Sequence, residues 1–222
     1  MCAVLSVLYE DNHLLAVNKP AGLAVQGDIT GDRHLLDEAE EYLRIKYKKP
    51  GKAFIGLIHR LDRPVSGVVL LAKTSKGLTR MNELFRKKET KKIYHAITFF
   101  EPTKENDTLR HFLGKDSKTH RALTYLNEKP GTKEAILHYR LLQKYKNGYL
   151  LEITLETGRF HQIRAQLSKA GMPLAGDLKY GAKVPLSDRS IGLHAYELTF
   201  VHPVTNEEVS IIAPYPKMEI WP

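Results

Sequence analysis

Cysteine is almost absent from this sequence of 222 residues: the only one is Cys2, which excludes an internal disulfide and a zinc-binding cysteine pair. No apolar run approaches the length of a membrane-spanning helix. The N-terminus also lacks the basic segment and long apolar stretch of a secretory signal. These absences exclude a disulfide-stapled secreted protein, and they predict a cytoplasmic protein that does not act at a membrane.

Acidic residues are outnumbered by basic ones. The chain has 34 Lys and Arg against 25 Asp and Glu, a formal net charge of +9. The positive charges gather in three clusters, at residues 86–92, 44–52 and, more loosely, 111–121. This balance favours a polyanionic partner such as nucleic acid, although each cluster alone also fits a solvated face. We predict that the first cluster binds the backbone phosphates of that partner through Arg86, Lys87, Lys88, Lys91 and Lys92.

The hydrophobic pattern predicts many strands and few helices. Strands are expected over residues 5–9, 13–17, 68–72, 93–99, 136–142 and 149–155, with a hairpin over 197–213. Helices are expected over 35–43, from 75 to 85 after a cap at Thr74, and over 161–170. Because few helices separate the strands, the pattern predicts an α+β fold with a mainly antiparallel sheet. No internal repeat or linker divides the chain, so we expect a single domain over residues 1–222.

One short stretch, HRLDRPVSG at residues 59–67, combines charge with a turn signal. It places the carboxylate of Asp62 between the guanidinium groups of Arg60 and Arg63, directly before an apolar β-branched run that reads as a buried strand. Neighbouring cations keep a carboxylate ionised, and an ionised carboxylate on a rigid element can act as a nucleophile, a base or a charge partner. A purely structural salt bridge explains the same residues.

Further motifs lie on either side of this stretch. Residues 157–164 read TGRFHQIR and residues 171–181 read GMPLAGDLKYG, while NKPAGL occupies 18–23 and LHA occupies 193–195. Taken together and in this order, these stretches resemble the motifs of the RluA-type pseudouridine synthases. The resemblance extends from about Val7 to Pro214, which is nearly the whole chain.

The resemblance implies a fold and a reaction. The family fold is a mixed, mainly antiparallel β-sheet with flanking helices and a central active-site cleft. The implied activity is that of an isomerase that turns uridine into pseudouridine in a stem-loop of rRNA or tRNA, with no cofactor because no redox step occurs. Many relatives carry a small RNA-binding domain of the S4 type before the catalytic domain. Since the first motif here begins at Asn18, we expect a catalytic domain by itself.

The resemblance also assigns the three residues closest to the chemistry. Asp62 matches the catalytic aspartate, which could attack C1′ of the ribose, assist a glycal intermediate or add to C6 of the base; the sequence does not choose between these routes. Arg164 matches the arginine that pairs with this aspartate. Tyr94 matches the tyrosine that packs against the flipped uracil and lies near the ribose.

Other motif residues are assigned to substrate binding. Arg60 matches the arginine that relatives use in base flipping, and on a strand it would share a face with Asp62. The remaining substrate-binding candidates are His59, Arg63, Arg159, His161 and Gln162. The two histidines could instead orient the loops through backbone hydrogen bonds. They could also form a metal site with Asp62, but the four arginines nearby disfavour a divalent cation, so we expect no metal. Lys19, Pro20 and Gly22 are expected to shape a turn.

Two departures from the family pattern bear on specificity. Pro64-Val65 stands where many relatives have a polar residue followed by Thr, and Gln166 stands where many have His. Two other functions fit parts of the sequence. A non-catalytic RNA-binding protein of the same fold would explain the charge, and an aspartate-dependent hydrolase or glycosylase acting on nucleic acid would explain Asp62. The sequence does not identify the target uridine or the oligomeric state.

Overall fold

The computed structural model describes residues 5–27 and 31–222, so Cys2 lies outside the described residues. The chain divides into two compact units. Unit one comprises Met1–Lys91 and Ala195–Pro216, and unit two comprises Lys92–His194 and Lys217–Pro222. The single domain over residues 1–222 stays a prediction.

Eleven strands and three α-helices build the described part of the chain. The strands are β1 Val7–Glu10, β2 Leu14–Lys19, β3 Gly56–Leu57, β4 Ser66–Ala72, β5 Thr90–Thr98, β6 Asn106–Asp116, β7 Arg121–Tyr125, β8 Lys133–Tyr145, β9 Gly148–Leu155, β10 Leu193–Val201 and β11 Glu208–Ile212. The helices are α1 Leu35–Lys46, α2 Ser75–Lys87 and α3 Gln162–Lys169. No helix among the described residues is both long and apolar enough to cross a membrane.

Unit one is organised around strand β4. Its sequence, SGVVLLA, is buried at all seven positions, as a strand covered on both faces requires. Strand β2 pairs antiparallel with β1 on one side and β4 on the other, and β10 pairs antiparallel with β11. Helix α2 begins where the Thr74 side chain accepts a hydrogen bond from the Gly77 N–H at 3.0 Å, and it packs Met81 into the core beside Leu14, Leu70 and Phe200.

Unit two is an antiparallel sheet in the order β5-β9-β8-β6-β7. Helix α3 covers the hairpin of β6 and β7, and six consecutive residues of the helix, 162–167, are buried. A small core of Leu113, Ala122, Ala135, Ala165 and Tyr180 joins the hairpin to the helix. The predicted α+β fold with a mainly antiparallel sheet is therefore confirmed. The β6–β7 hairpin is an element that the hydrophobic pattern did not predict, because few of its side chains are buried.

A buried carboxylate ties β1 to α1 in unit one. The Glu10 side chain is 8% exposed and accepts four hydrogen bonds. Its Oε2 accepts from the Tyr42 hydroxyl at 2.7 Å and the Lys46 Nζ at 2.6 Å, and its Oε1 accepts from the Tyr47 hydroxyl at 2.6 Å and the Lys73 Nζ at 2.7 Å. Burial alone would raise the pKa of Glu10, but these four donors outweigh it and lower the pKa from 4.5 to about 2.

The first prediction concerns acid stability. Because the folded-state pKa of Glu10 is lowered, its stabilisation is fully present above pH 4.5 and is lost as the pH falls from 4.5 towards about 2. Glu10→Gln should therefore reduce the free energy of unfolding by on the order of 2–3 kcal/mol at neutral pH, and by much less near the lower pKa. Urea unfolding of both proteins across this range measures the difference. A deficit that stays constant as the pH falls would contradict the argument.

Candidate active site

Asp62 lies in a tight turn that leads into β4. The Asp62 carbonyl accepts a hydrogen bond from the Val65 N–H at 3.0 Å, which closes the turn. The residues on either side, Leu61 and Val65, are buried, whereas Asp62 is half-buried. The apolar neighbours therefore anchor the backbone while the carboxylate stands at the entry to the strand. Residues 58–65 form no strand, so the strand-face argument for Arg60 was wrong; Arg60 is exposed.

The Nζ of Lys19 is hydrogen-bonded to the backbone of the turn that contains Asp62. Lys19 is fully buried, and its Nζ donates to the carbonyls of Leu23 at 2.8 Å, Pro20 at 2.9 Å and Arg63 at 3.2 Å. The Arg63 carbonyl also accepts from the Gly22 N–H at 2.8 Å. Three acceptors use all three donors of an ammonium group. Hydrogen bonds thus connect the NKPAGL motif to Arg63, the residue that follows Asp62. Lys19 therefore does more than shape its own turn.

Lys19 and Asp62 also interact through their charges. Burial lowers the pKa of Lys19 from 10.5 to about 7; the Asp62 carboxylate opposes this shift, and the Arg63 guanidinium adds to it. The interaction requires that the two side chains lie within Coulombic reach of each other. Lys19 therefore supports Asp62 through the backbone, and its charge attracts the Asp62 carboxylate when the amine is protonated.

Gly67 allows the turn to join the sheet. Its φ of +115° lies in the region that favours glycine, and a Cβ atom built there would lie 2.3 Å from the carbonyl oxygen of Ala195 and 2.6 Å from its nitrogen. A side chain at this position would force β4 away from β10. The glycine of the HRLDRPVSG stretch is accordingly explained by close packing of two backbones.

In unit two, Arg164 lies on the buried side of α3. Its guanidinium forms a bidentate pair with Asp177, with Nε to Oδ2 at 2.7 Å and Nη2 to Oδ1 at 2.9 Å. Both side chains are buried, at 7% and 1% exposed. The ring of Tyr180 packs on the guanidinium, with its centroid 5.0 Å from Cζ. Sequence reasoning missed this partner of Arg164, although Asp177 and Tyr180 both lie in the GMPLAGDLKYG motif.

The glutamine that precedes this arginine by two residues anchors the start of α3. Gln162 is buried; its Oε1 accepts from the Thr157 hydroxyl at 2.8 Å and the Arg159 N–H at 2.9 Å, and its Nε2 donates to the Ile136 carbonyl at 3.0 Å. His161 caps the helix in a left-handed conformation, with a φ of +49°. Its Nδ1 lies 2.8 Å from the Tyr180 hydroxyl.

Tyr94 and the other predicted substrate-binding residues lie on several elements. Tyr94 is half-buried on β5, opposite Ile153 of β9. The His59 Nε2 accepts from the Leu70 N–H at 3.0 Å, and its ring stacks on Phe85. Arg63 donates to Asp32 at 2.7 Å, and the Arg159 Nε donates to the Glu134 carbonyl at 2.9 Å. These contacts give His59 and Gln162 structural roles, and substrate binding by all six candidates stays a prediction.

The basic cluster begins at the C-terminal end of α2. Arg86 and Lys87 both lie near Glu83, at 3.8 Å and 3.1 Å, and all three side chains are at least half exposed. Lys88 ends the helix with a φ of +62°, and Lys91 is exposed on β5. Glu83 thus faces two cations, and with Glu89 also counted the five cations of the cluster still outnumber its carboxylates. Lys92 is half-buried at the start of unit two.

Gln166 fills the position that departs from the family pattern. It is fully buried on α3, and its Nε2 donates to the carbonyls of Leu109 at 2.9 Å and Ala135 at 3.1 Å. The Nδ1 of His111 lies 3.1 Å from the same nitrogen. Gln166 therefore fixes the helix to β6 and β8. Across the described ranges, no group of three or more His, Cys, Asp or Glu side chains could hold a metal ion; the prediction that none is used stays a prediction.

Comparison with known proteins identifies the family. Residues 13–169 match the sequence profile described as RNA pseudouridylate synthase. The chain belongs to this family, whose members are isomerases that convert uridine to pseudouridine in RNA. The predicted resemblance, enzyme class and general function are confirmed at this level.

Individual relatives agree with the profile. The chain is 33% identical over 219 residues to an uncharacterized RNA pseudouridine synthase of Synechocystis, covering 96% of this chain and 66% of the relative. It is 35% identical to ribosomal large subunit pseudouridine synthase C of Rickettsia felis, covering 95% and 67%. The solved structure of human RNA pseudouridylate synthase domain containing 4 superimposes with a TM-score of 0.80 at 25% identity, covering 96% of this chain and 89% of that one. The chain thus spans about two thirds of the length of these curated bacterial relatives.

The second prediction tests the Lys19 support. Lys19→Met retains the apolar stem but removes the Nζ donor of three carbonyls. Within the described residues, only the Arg63 carbonyl keeps a second donor, the Gly22 N–H. The substitution should therefore lower the free energy of unfolding by about 2–3 kcal/mol. Displacement of the Asp62 turn should also lower kcat for uridine isomerisation by about 100-fold. Urea unfolding and single-turnover kinetics on RNA measure the two effects.

Lys73→Met provides the matched control. Lys73 is also a buried lysine of unit one, at 9% exposed, and it donates to Glu10 away from the Asp62 turn. The Lys73→Met variant should lower the free energy of unfolding by an amount comparable to that of Lys19→Met, with little change in kcat. If the two variants lost stability and kcat in the same proportion, Lys19 would act only through global stability.

Proposed function

We propose that this chain isomerises uridine to pseudouridine in structured RNA, with Asp62 as the reacting carboxylate. The observation that supports the proposal is that Asp62, which by resemblance matches the family's catalytic aspartate, lies on the turn bound by Lys19 and Gly67. A rigid backbone that presents a half-buried carboxylate suits a nucleophile, since attack requires a fixed direction. The alternative of a non-catalytic RNA-binding protein gives no reason to retain this arrangement.

The reaction needs no external reactant. The glycosidic bond from N1 to C1′ breaks, the uracil rotates, and a bond from C5 to C1′ forms while C5 loses a proton and N1 gains one. Asp62 would act at C1′, through a glycal or at C6. We assign Arg164 to hold this carboxylate and Tyr94 to pack against the uracil, with its hydroxyl available as an acid or base.

Recognition of RNA is assigned to the cationic residues. Arg60, exposed beside Asp62, would occupy the space that the flipped uridine leaves, because a planar guanidinium stacks on bases. Arg86, Lys87, Lys88, Lys91 and Lys92 would bind backbone phosphates. The substrate we propose first is large-subunit rRNA, since relatives at about one-third identity bear that name, as in Rickettsia felis. A tRNA stem-loop is the other outcome that the assays below would reveal, and either substrate fits a cytoplasmic protein.

The third prediction tests the reacting group. Asp62→Asn retains the shape of the side chain but removes its charge and nucleophilicity, so the protein should fold and bind RNA yet form no pseudouridine. Tritium release from uridine labelled at C5 measures turnover, because that hydrogen leaves only when C5 becomes the glycosidic carbon. Total rRNA and total tRNA serve as separate substrates.

Two outcomes would overturn the mechanism. Release at the wild-type rate from Asp62→Asn would remove the carboxylate from the reaction. Release of free uracil with loss of the base from the chain would instead identify a glycosylase.

The fourth prediction tests the phosphate contacts. The triple variant Lys87→Ala, Lys88→Ala, Lys91→Ala should weaken RNA binding and reduce the slope of log Kd against log salt by roughly one unit per lost contact. The control is Lys129→Ala, Lys133→Ala, Lys146→Ala, which removes the same charge from exposed positions outside the three clusters. Filter binding across a salt series measures both. Equal slopes for the two triple variants would show that the effect is only one of net charge.

A further inference from the structure

We infer that Asp177 and Tyr180 are positioning residues that fix the orientation of the Arg164 guanidinium. Asp177 binds its edge, and the ring of Tyr180 packs on its face. The inference deepens the proposed function, since Arg164 is the residue assigned to hold the reacting carboxylate. We call Asp177 and Tyr180 the guanidinium clamp.

Asp177 fixes the edge. The pair uses Nε and Nη2 of Arg164, which removes rotation about the terminal bonds of the side chain and leaves Nη1 outside the pair. A guanidinium held by this edge presents its remaining amino group in one direction. The carboxylate also balances the buried positive charge, which would otherwise be costly at this depth.

Tyr180 fixes the face of the guanidinium, and it is itself held through its hydroxyl and through its backbone carbonyl. The hydroxyl accepts from the Ala122 N–H at 2.6 Å and lies 2.8 Å from the His161 Nδ1. At the other end, the Tyr180 carbonyl accepts from the Ser168 hydroxyl at 2.6 Å. A ring anchored in this way cannot swing away from the guanidinium that it covers.

Both members of the clamp come from a single folded turn. The Asp177 carbonyl accepts from the N–H groups of Tyr180 and Ala182, each at 3.0 Å, and the Asp177 N–H donates to Leu174 at 3.1 Å. Gly176 enters the turn with a φ of +75°, and a Cβ built on it would lie 2.8 Å from the Ser190 carbonyl. The spacing between Asp177 and Tyr180 is therefore set by backbone geometry.

The backbone that carries Arg164 is anchored independently of the clamp. Gln162 and Gln166 bind α3 to the carbonyls of Ile136, Leu109 and Ala135. Loss of the clamp should consequently free the guanidinium while the helix stays in place. This separation distinguishes a positioning role from a general contribution to folding.

The test reads the Arg164 side chain directly. In protein labelled with ¹⁵N-arginine, the Arg164 Nε–H should give a shifted resonance that exchanges slowly with solvent. Asp177→Asn and Tyr180→Leu should each move this resonance towards the position of exposed arginines and speed its exchange. Tyr180→Phe, which retains the ring, should change it less. Ile211→Ala, a cavity variant in the core of unit one, controls for lost stability and should leave it unchanged.

Activity provides the second arm. Asp177→Asn should lower kcat by about 100-fold with little change in KM for RNA, because misplacement of a functional group by about 1 Å has that cost. Methylguanidinium should restore turnover to Arg164→Ala but not to Arg164→Ala/Asp177→Ala, in which its binding partner is gone. Should Arg164→Ala fail to fold, the resonance and the kcat of Asp177→Asn still decide the inference.

The outcomes separate the two ideas. An Arg164 resonance that is unchanged in both Asp177→Asn and Tyr180→Leu would overturn the clamp, as would full kcat in both variants. Absence of turnover by the wild-type protein on every RNA would count against the proposed function, and the resonance would still test the clamp.

Discussion

The Asp62 turn depends on one buried ammonium group. Lys19 donates to carbonyls from its own loop and to the carbonyl that follows Asp62, so two segments more than forty positions apart in the sequence share one donor. Burying a lysine is unfavourable unless its donors are all used. Displacement of the turn is therefore unfavourable, because moving the Arg63 carbonyl would leave one donor of the buried Lys19 without its acceptor. Gly67 imposes the complementary constraint, because its close approach to Ala195 fixes where β4 begins.

Glu10, Lys19 and the Arg164–Asp177 pair bury charge in the described parts of the chain, and the charge is satisfied differently in each case. Glu10 collects two lysines and two tyrosines, Lys19 uses three backbone carbonyls, and Arg164 pairs with Asp177. Glu10 ties strand β1 to helix α1 and contributes to stability. Lys19 and Arg164, in contrast, lie in the motifs that carry the resemblance to the family. The partners of both side chains lie in turns of fixed backbone geometry. Such partners orient a charged group as well as balance its charge.

Local sequence signals predicted most elements of the fold. The apolar run of β4 and the Thr74 cap of α2 are strong signals because they depend on neighbouring residues alone. The β6–β7 hairpin escaped prediction because only three of its positions are buried, so it has no apolar run like that of β4. At the candidate site, the motifs located Asp62 and Arg164, but the carbonyl partners of Lys19 and the pairing of Arg164 with Asp177 are tertiary contacts. Thirteen positions separate the latter two residues, and no helical or strand period connects them.

The central claim is that this chain forms pseudouridine in cellular RNA through Asp62. Pseudouridine mapping of large-subunit rRNA and tRNA from cells that lack the gene tests it most directly, with complementation by the wild type and by Asp62→Asn. The account predicts that one or a few pseudouridines disappear in the deletion strain, return with the wild-type gene and stay absent with Asp62→Asn. Full restoration by Asp62→Asn, or an unchanged map in the deletion strain, would contradict it.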